Sequence, residues 1–477
     1  MAMDEALAEI VSGILEVLPA SIEMPAGTGK THIVAGVAAT AAIQGRSTLV
    51  LTHTHAGVDA IRRRLRSFGV PKEYVQVETI SSWVIGLLRS YPLLGGIEVP
   101  SVPDWGRSRE YIQGAVSVGL SEAIKRVHGA SFDFLLVDEY QDCTKEQHKF
   151  ICAIHEAIPA TLLIGDRLQG IFGFSGPLVD WDTDILPTFP QYEVPMKSWR
   201  WTNHNSALGE WLLELRSALS IGGSIDLSDV NVDGVRWMQT DLAEVRKASD
   251  SFRSSNESVV IIGKMEHDIL PIAMRLGGRY TVMEDIQGTF MIEFLNKLVT
   301  VVPQQYAICL AEFAKKCFVG LKGIDGTVKK RLITGAATAN LTREGIAEVL
   351  VALDGVVRNP TFNVVGEAMK TIDACAALRL YRCEAWRDVR RAIAAVVADE
   401  TVVPTEALAR VRDRVRHAGR SSQNRVVSRT VLIKGLEYDH AIVMNAESFD
   451  HRNLYVALTR ARKTVTVFSK SSVLAFK

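Results

Sequence analysis

Asp138 and Glu139 are the residues of this chain whose type and spacing most directly suggest chemistry. The apolar run Phe134-Leu135-Leu136-Val137 precedes them and Tyr140-Gln141-Asp142 follows. A buried strand ending on two carboxylates can hold a divalent cation through the water shell of the first and take a proton from water with the second. Upstream, Met24-Pro25-Ala26-Gly27-Thr28-Gly29-Lys30-Thr31-His32 fits the phosphate-loop pattern G-x-x-x-x-G-K-[ST], with Met24 in place of the first glycine. Gly27 and Gly29 let the backbone N–H groups of the 25–32 loop approach a phosphate, and the following helix adds its dipole. Lys30 would reach the β and γ oxygens, and the Thr31 hydroxyl would join Asp138 at Mg²⁺. Either motif alone has a plain reading, a solvated strand end or a glycine-rich turn. Together they describe hydrolysis of a magnesium-bound nucleotide.

Parallel strands are the elements that could position these groups. Ser47 to Leu51, Tyr74 to Val77 and Ala160 to Ile164 are apolar runs that end in small polar residues and give way to helical patterns. One such helix is the basic amphipathic stretch from Ala56 to Phe68. Strand ends that all deliver polar groups on one side are the pattern of a doubly wound α/β sheet.

With 477 residues the chain has room for two to four domains. Apolar residues make up 47% and charged residues 23%, so a folded globular protein is expected. Lys plus Arg and Asp plus Glu are equal at 54 each, and any nucleic-acid track must therefore be local. The six cysteines contain no Cys-x-x-Cys pair and read as reduced thiols. No apolar run is long enough for a membrane span, and the N-terminus lacks a signal-peptide core. The expectation is a cytoplasmic protein with no membrane partner.

The order of motifs resembles the UvrD/Rep family of superfamily 1 DNA helicases. Leu49 to Ala56 with Ile61-Arg62-Arg63-Arg64-Leu65 looks like motif Ia, and Thr79 to Ser82 with Leu87-Leu88-Arg89 looks like motif Ib. Asp138 to Asp142 matches motif II, Gly165 to Phe174 resembles motif III, and Trp199-Arg200-Trp201-Thr202 resembles motif IV. Thr430 with Lys434-Gly435-Leu436-Glu437-Tyr438-Asp439 looks like motif V, and Leu454 to Arg462 is close to motif VI. The resemblance implies ATP and Mg²⁺ as ligands, Glu139 as base and Gln169 as γ-phosphate sensor. It makes Arg200 and Arg460 arginine fingers. It places Trp199 on the adenine and Gly435 and Glu437 beside the sugar. The plain alternatives are a core tryptophan for Trp199 and a surface salt bridge for Glu437.

For single-stranded or partly duplex DNA, the candidate contacts are Thr52, Thr54, Thr79 and Ser82 on the backbone, His53 and Thr430 within the motif Ia-like and motif V-like segments, and Phe172 and Phe174 stacking on bases. Several positions depart from the family. No glutamine stands near Ala8 or Glu9, where the family reads adenine. His53 replaces a stacking phenylalanine, Ile80-Ser81 stands for Phe-His, Val431 for histidine and Ser175 for arginine. These bear on base choice or DNA contact, not on hydrolysis. Arg410, Arg412, Arg414, Arg416, Arg420, Arg425 and Arg429 form the most basic segment, either a solvated helix face or a DNA or partner contact.

The expected fold is α/β, with two RecA-like P-loop motor domains built on parallel sheets. The first covers 1–188, with a short 1B-like insertion near 86–127. The second covers 189–284 and 426–477, split by a helical 2B-like insertion at 285–425. The leading expectation is an ATP-dependent translocase on single-stranded DNA that separates strands, 3′ to 5′ by family resemblance. The alternative is a DNA-sensing ATPase subunit that regulates a separate nuclease partner, as in Gabija-type phage-defence complexes.

Overall fold

The computed structural model describes residues 5–101, 103–173, 176–285, 288–418 and 423–476. Its first sheet contains β1 (Ala20–Glu23), β2 (Thr48–Thr52), β3 (Val75–Thr79), β4 (Phe134–Val137) and β5 (Ala160–Gly165). All are parallel, in the order β1-β5-β4-β2-β3. Strands β2 and β4 are buried throughout, and the two-residue period of a strand divides their side chains between two cores. Leu49, Leu51, Leu135 and Val137 face helices Ile80–Ser90, Ser108–Leu120 and Lys145–His155. Val50 and Leu136 face Glu5–Val17, Lys30–Ile43 and His55–Ser67. This two-sided burial explains the unbroken apolar runs.

Tyr111, Ala115, Val118 and Ile124 join the first of these cores. The helices around the expected 86–127 insertion thus pack directly on the sheet. The segment after residue 188 also stays with it. Ser21 N–H donates to the Pro190 carbonyl at 2.8 Å and Tyr192 N–H to Ser21 at 2.8 Å, while Phe189 and Val194 enter its two cores. The chain leaves this sheet beyond Val194, several residues past the expected boundary at 188.

The second sheet contains β6 (Val235–Gln239), β7 (Val259–Gly263), β8 (Thr281–Val282), β9 (Arg425–Arg429), β10 (Tyr438–Val443) and β11 (Ala461–Ser469). These are parallel in the order β6-β11-β10-β7-β9-β8. Between β8 and β9 the chain builds helices Thr289–Thr300, Tyr306–Cys317, Gly326–Thr334, Ala347–Arg358, Phe362–Ala374, Cys383–Ala398 and Pro404–Ala418. These close on a core of their own around Trp386, Phe313, Leu353 and Met369. The fold is mixed α/β with two parallel sheets, consistent with two RecA-like units.

A buried ion pair ties the helical body to the sheet. Arg382, just before helix Cys383–Ala398, donates to both carboxylate oxygens of Glu284, just after β8, at 2.6 and 2.5 Å. Arg412 donates to Asp388 at 2.8 Å and to the Asp285 carbonyl. Arg425 spends its guanidinium on the carbonyls of Phe252, Ser255 and Glu257. Two members of the basic segment are therefore internal ties rather than free cations. The side chains of Arg414 and Arg416, and all of Arg420, lie outside the described residues.

Candidate nucleotide site and interdomain cleft

The loop after β1 is shaped by two left-handed glycines, Gly27 (φ 73°) and Gly29 (φ 101°). At Gly27 a side chain is excluded twice over, since a Cβ would stand 2.5 Å from the Trp201 ring. Gly29 caps helix Lys30–Ile43, so the helix N-terminus opens onto the loop. Lys30 is 8% exposed, and its Nζ donates to the carbonyls of Met24 (3.0 Å) and Pro25 (3.1 Å). Burial lowers its pKa, against the pull of Asp166, Glu139 and Asp138. Thr28 donates to the Pro25 carbonyl at 2.8 Å and holds the loop's turn. The His32 ring lies against Phe68, 5.3 Å between centroids.

The acid pair sits where β4 ends. Asp138 N–H continues the ladder to Leu51 at 2.9 Å, and the chain then turns through Glu139 at φ 56°, a left-handed conformation rare outside glycine. Glu139 N–H donates to Asp138 Oδ1 at 2.9 Å, and the Thr31 hydroxyl donates to Asp138 Oδ2 at 3.3 Å. Gln141 Nε2 donates to Glu139 Oε2 at 2.5 Å, and Gln141 Oε1 accepts the Asp166 N–H at 2.8 Å. Burial, followed by the neighbouring Glu139, raises Asp138 to about 7. Burial also works against ionised Glu139, but Lys434, Lys30 and the Gln141 hydrogen bond together hold its pKa below the ordinary value. A hydroxyl and a buried carboxylate in contact, the carboxylate hard to ionise without a cation, form an oxygen donor set that suits Mg²⁺.

Gln169 is 4% exposed and donates to Asp166 Oδ2 at 2.8 Å. Arg200 donates through Nε to Glu437 at 2.8 Å and through Nη1 to the Thr459 carbonyl at 2.7 Å. Arg460 is 1% exposed and donates to the carbonyls of Val456 (2.8 Å) and Leu436 (3.2 Å) and to the Thr459 hydroxyl (3.0 Å). Burial and then Arg200 pull its pKa down to about 10. Both arginines stand at the cleft with their donors turned to their own half of the protein. Glu437 is thus the salt-bridge partner of Arg200, and Gly435 beside it turns at φ 79°.

The two tryptophans flanking Arg200 separate cleanly. Trp201 is 1% exposed and donates from Nε1 to the Ala461 carbonyl at 2.8 Å. Trp199 is 53% exposed, has Lys197 Nζ 4.0 Å from its ring centre, and lies with Cδ1 3.4 Å from where a Cβ on Gly29 would stand. A half-exposed aromatic ring beside the loop is where a base-stacking residue would stand.

Of the expected DNA contacts, three are turned inward. Thr52, Thr79 and Thr430 are buried. Thr79 caps helix Ile80–Ser90 by accepting from Ser82 N–H, and donates to the Ser82 hydroxyl at 2.8 Å. Thr430 donates to Asn453. Thr54 caps helix His55–Ser67 by accepting from Gly57 N–H, but remains exposed. His53 lies 3.4 Å from the Cys143 sulfur, and burial with nearby Lys434 pushes its pKa down to about 4. Phe172 lies beneath Lys434, 5.0 Å from Nζ to the ring centre. Phe174 lies outside the described residues.

Three further groups complete the cleft. Lys434 reaches across to Asp142 and to the Gln169 carbonyl. Tyr455 Oη accepts the Ala26 N–H at 3.0 Å, and Arg216 ties Glu23 to Asp166. Lys434 and Tyr455 lie inside recognisable motifs, which was the signal available for them. Arg216 lies within an ordinary amphipathic helix, where nothing marks it.

A family model described as an AAA domain matches residues 8–175, which include the phosphate loop, the acid pair and Gln169. That stretch is a P-loop NTPase domain. No curated protein matches the chain. No helix among the described residues is long and apolar enough to cross a membrane.

Proposed function

We propose that the chain is an ATP-hydrolysing motor of the UvrD/Rep-like type that moves on single-stranded DNA and separates strands, 3′ to 5′ by resemblance. The observation that carries this reading is the meeting of both halves of the chain at the phosphate loop. Arg200 N–H donates to the Gly27 carbonyl at 3.1 Å, and Tyr455 takes the Ala26 N–H at 3.0 Å. A nucleotide held by that loop touches both sheets, so each turnover can move one against the other.

The chain's own groups divide the work. Lys30 gives up the Met24 and Pro25 carbonyls to a β/γ-phosphate, which accepts its donors better because it is charged. Glu139, kept ionised by Lys434 and Lys30, accepts a proton from the attacking water. Gln169, steadied by Asp166, orients that water. Arg200 exchanges Glu437 for the γ-phosphoryl oxygens, and Trp199 stacks on the base. Thr31 and Asp138 are the residues that would hold Mg²⁺, which when bound neutralises charge on the phosphates. Lys434, bonded to Asp142 and Gln169, passes the state of the acid-pair loop to β9 and the DNA side.

The alternative is a regulatory ATPase that senses DNA for a separate nuclease. The burial of Thr52, Thr79 and Thr430, which leaves fewer groups for a DNA track, favours it. One experiment separates the readings: ATP turnover of wild type and Glu139→Gln, with and without single-stranded DNA, followed by a strand-separation assay. Stimulated turnover with unwinding supports the motor, and stimulated turnover without unwinding supports the sensor. Undiminished turnover in Glu139→Gln removes Glu139 from the base role.

A further inference from the structure

Arg216 lies on helix Ser206–Ser220, in the part of the chain that packs with the second sheet, and its side chain is 15% exposed. Its guanidinium spans two carboxylates of the first sheet. Nη2 donates to Glu23 Oε1 at 2.5 Å, and Nη1 donates to Asp166 Oδ1. Glu23 is the last residue of β1, directly before the phosphate loop, and Asp166 directly follows β5. Asp166 is fully buried; its Oδ1 also accepts the Leu168 N–H at 3.2 Å, and its other groups reach the residues read as hydrolytic. Its Oδ2 accepts Gln169 Nε2 at 2.8 Å, and its N–H donates to Gln141, which in turn donates to Glu139. Arg167 also reaches Glu23, at 2.8 Å, but its other partner is Asp182 and its side chain is 36% exposed.

We propose that Arg216 is a positioning residue for nucleotide hydrolysis, setting Gln169 and Glu139 through Asp166 according to how the second half of the protein sits on the first. The proposal rests on the reading that those two residues act on a nucleotide. A planar guanidinium fixes the separation and angle of two carboxylates, which a point charge cannot do. Asp166 is held by Arg216 on one oxygen and holds Gln169 with the other, so movement of helix Ser206–Ser220 is transmitted to the sensor. Its amide carries the same movement to Gln141 and the base. Hydrolysis is thereby made conditional on a closed cleft.

The test compares wild type, Arg216→Lys and Arg216→Met by thermal melting, equilibrium binding of a fluorescent ATP analogue, and steady-state ATPase. Arg216→Lys keeps the charge and is expected to melt and bind the analogue like wild type. Its kcat should fall about tenfold with KM unchanged. Arg216→Met should lose about a hundredfold in kcat, so that lysine gives a graded rescue. If Arg216→Met does not fold, the lysine variant decides. A folded Arg216→Lys enzyme with wild-type kcat overturns the proposal, as does a rise in KM alone. Absence of turnover in wild type instead overturns the hydrolytic reading, and this proposal with it.

Discussion

Lys434 donates to Asp142 across the cleft, with both side chains almost wholly buried, at 5% and 2% exposure. Asp142 closes the acid-pair loop and Lys434 follows the short helix Thr430–Ile433. The pair joins the loop at the end of β4 to the part of the second sheet expected to meet DNA. A second bond from Lys434 to the Gln169 carbonyl, at 2.5 Å, brings Gln169 into the same contact.

Breaking that pair from one side leaves a buried ionisable group without its partner. Lys434→Met should cost about 3–5 kcal/mol of stability in urea denaturation. Lys434→Met combined with Asp142→Leu should recover much of it while leaving DNA stimulation of ATPase abolished. Retained stimulation in the double variant would remove the pair from coupling.

Trp199 and Trp201 should respond in opposite ways. Trp199→Ala is expected to weaken nucleotide binding about tenfold, one stacking contact, with melting temperature unchanged. Trp201→Ala should cost about 3–5 kcal/mol of stability, because it empties a packed core position. Titration of a fluorescent nucleotide and denaturant unfolding distinguish them.

His53 gives a pH signature. Its folded pKa of about 4 lies below the ordinary value of 6.5, because burial, reinforced by Lys434, disfavours the charged ring against the pull of Glu139. The sign follows from proton counting. Between those values the unfolded chain binds the extra proton, so the contribution is full above pH 6.5 and is lost as pH falls through about 4. Asp142, raised to about 7, contributes in the opposite sense, losing stability as pH rises through that value. Comparing wild type with His53→Gln cancels the Asp142 contribution. The stability difference between them should shrink from pH 7 to pH 4 by on the order of 2 kcal/mol. A difference constant with pH would contradict the assignment.

Arg382 pins the helical body. Its guanidinium is bidentate to Glu284 and lies 3.7 Å from the centre of the Phe290 ring. Arg382→Met should make residues 285–425 more sensitive to limited proteolysis and lower global stability by about 3 kcal/mol, with basal ATPase within twofold. Unchanged proteolysis would show that Arg412 alone suffices.

What could be read from the sequence was whatever a short run of residues specifies locally. Asp138-Glu139 directly follow a strand whose apolar run announces burial on both faces, Lys30-Thr31 open the helix after a glycine-rich loop, and parallel α/β topology brings such strand ends and helix starts together. The second sheet was implied by the order of the family-like motifs, and the helical body between its strands by helical periodicity. Local pattern does not specify which distant groups share a charge. Arg412 and Arg425 look like free cations in a basic run, yet Asp388 and the carbonyls of Phe252, Ser255 and Glu257 absorb them. Thr79 looks like a phosphate contact, yet its hydroxyl caps a helix.

The sequence by itself determined the chemical inventory, because a phosphate loop and an acid pair work through residues only a few positions apart. Tertiary structure alone decided the wiring. Arg216 meets Glu23 and Asp166, Lys434 meets Asp142, and Tyr455 meets Ala26 only because two sheets close on one cleft. A buried charge takes the partner that folding brings within reach, and sequence separation places no limit on that choice.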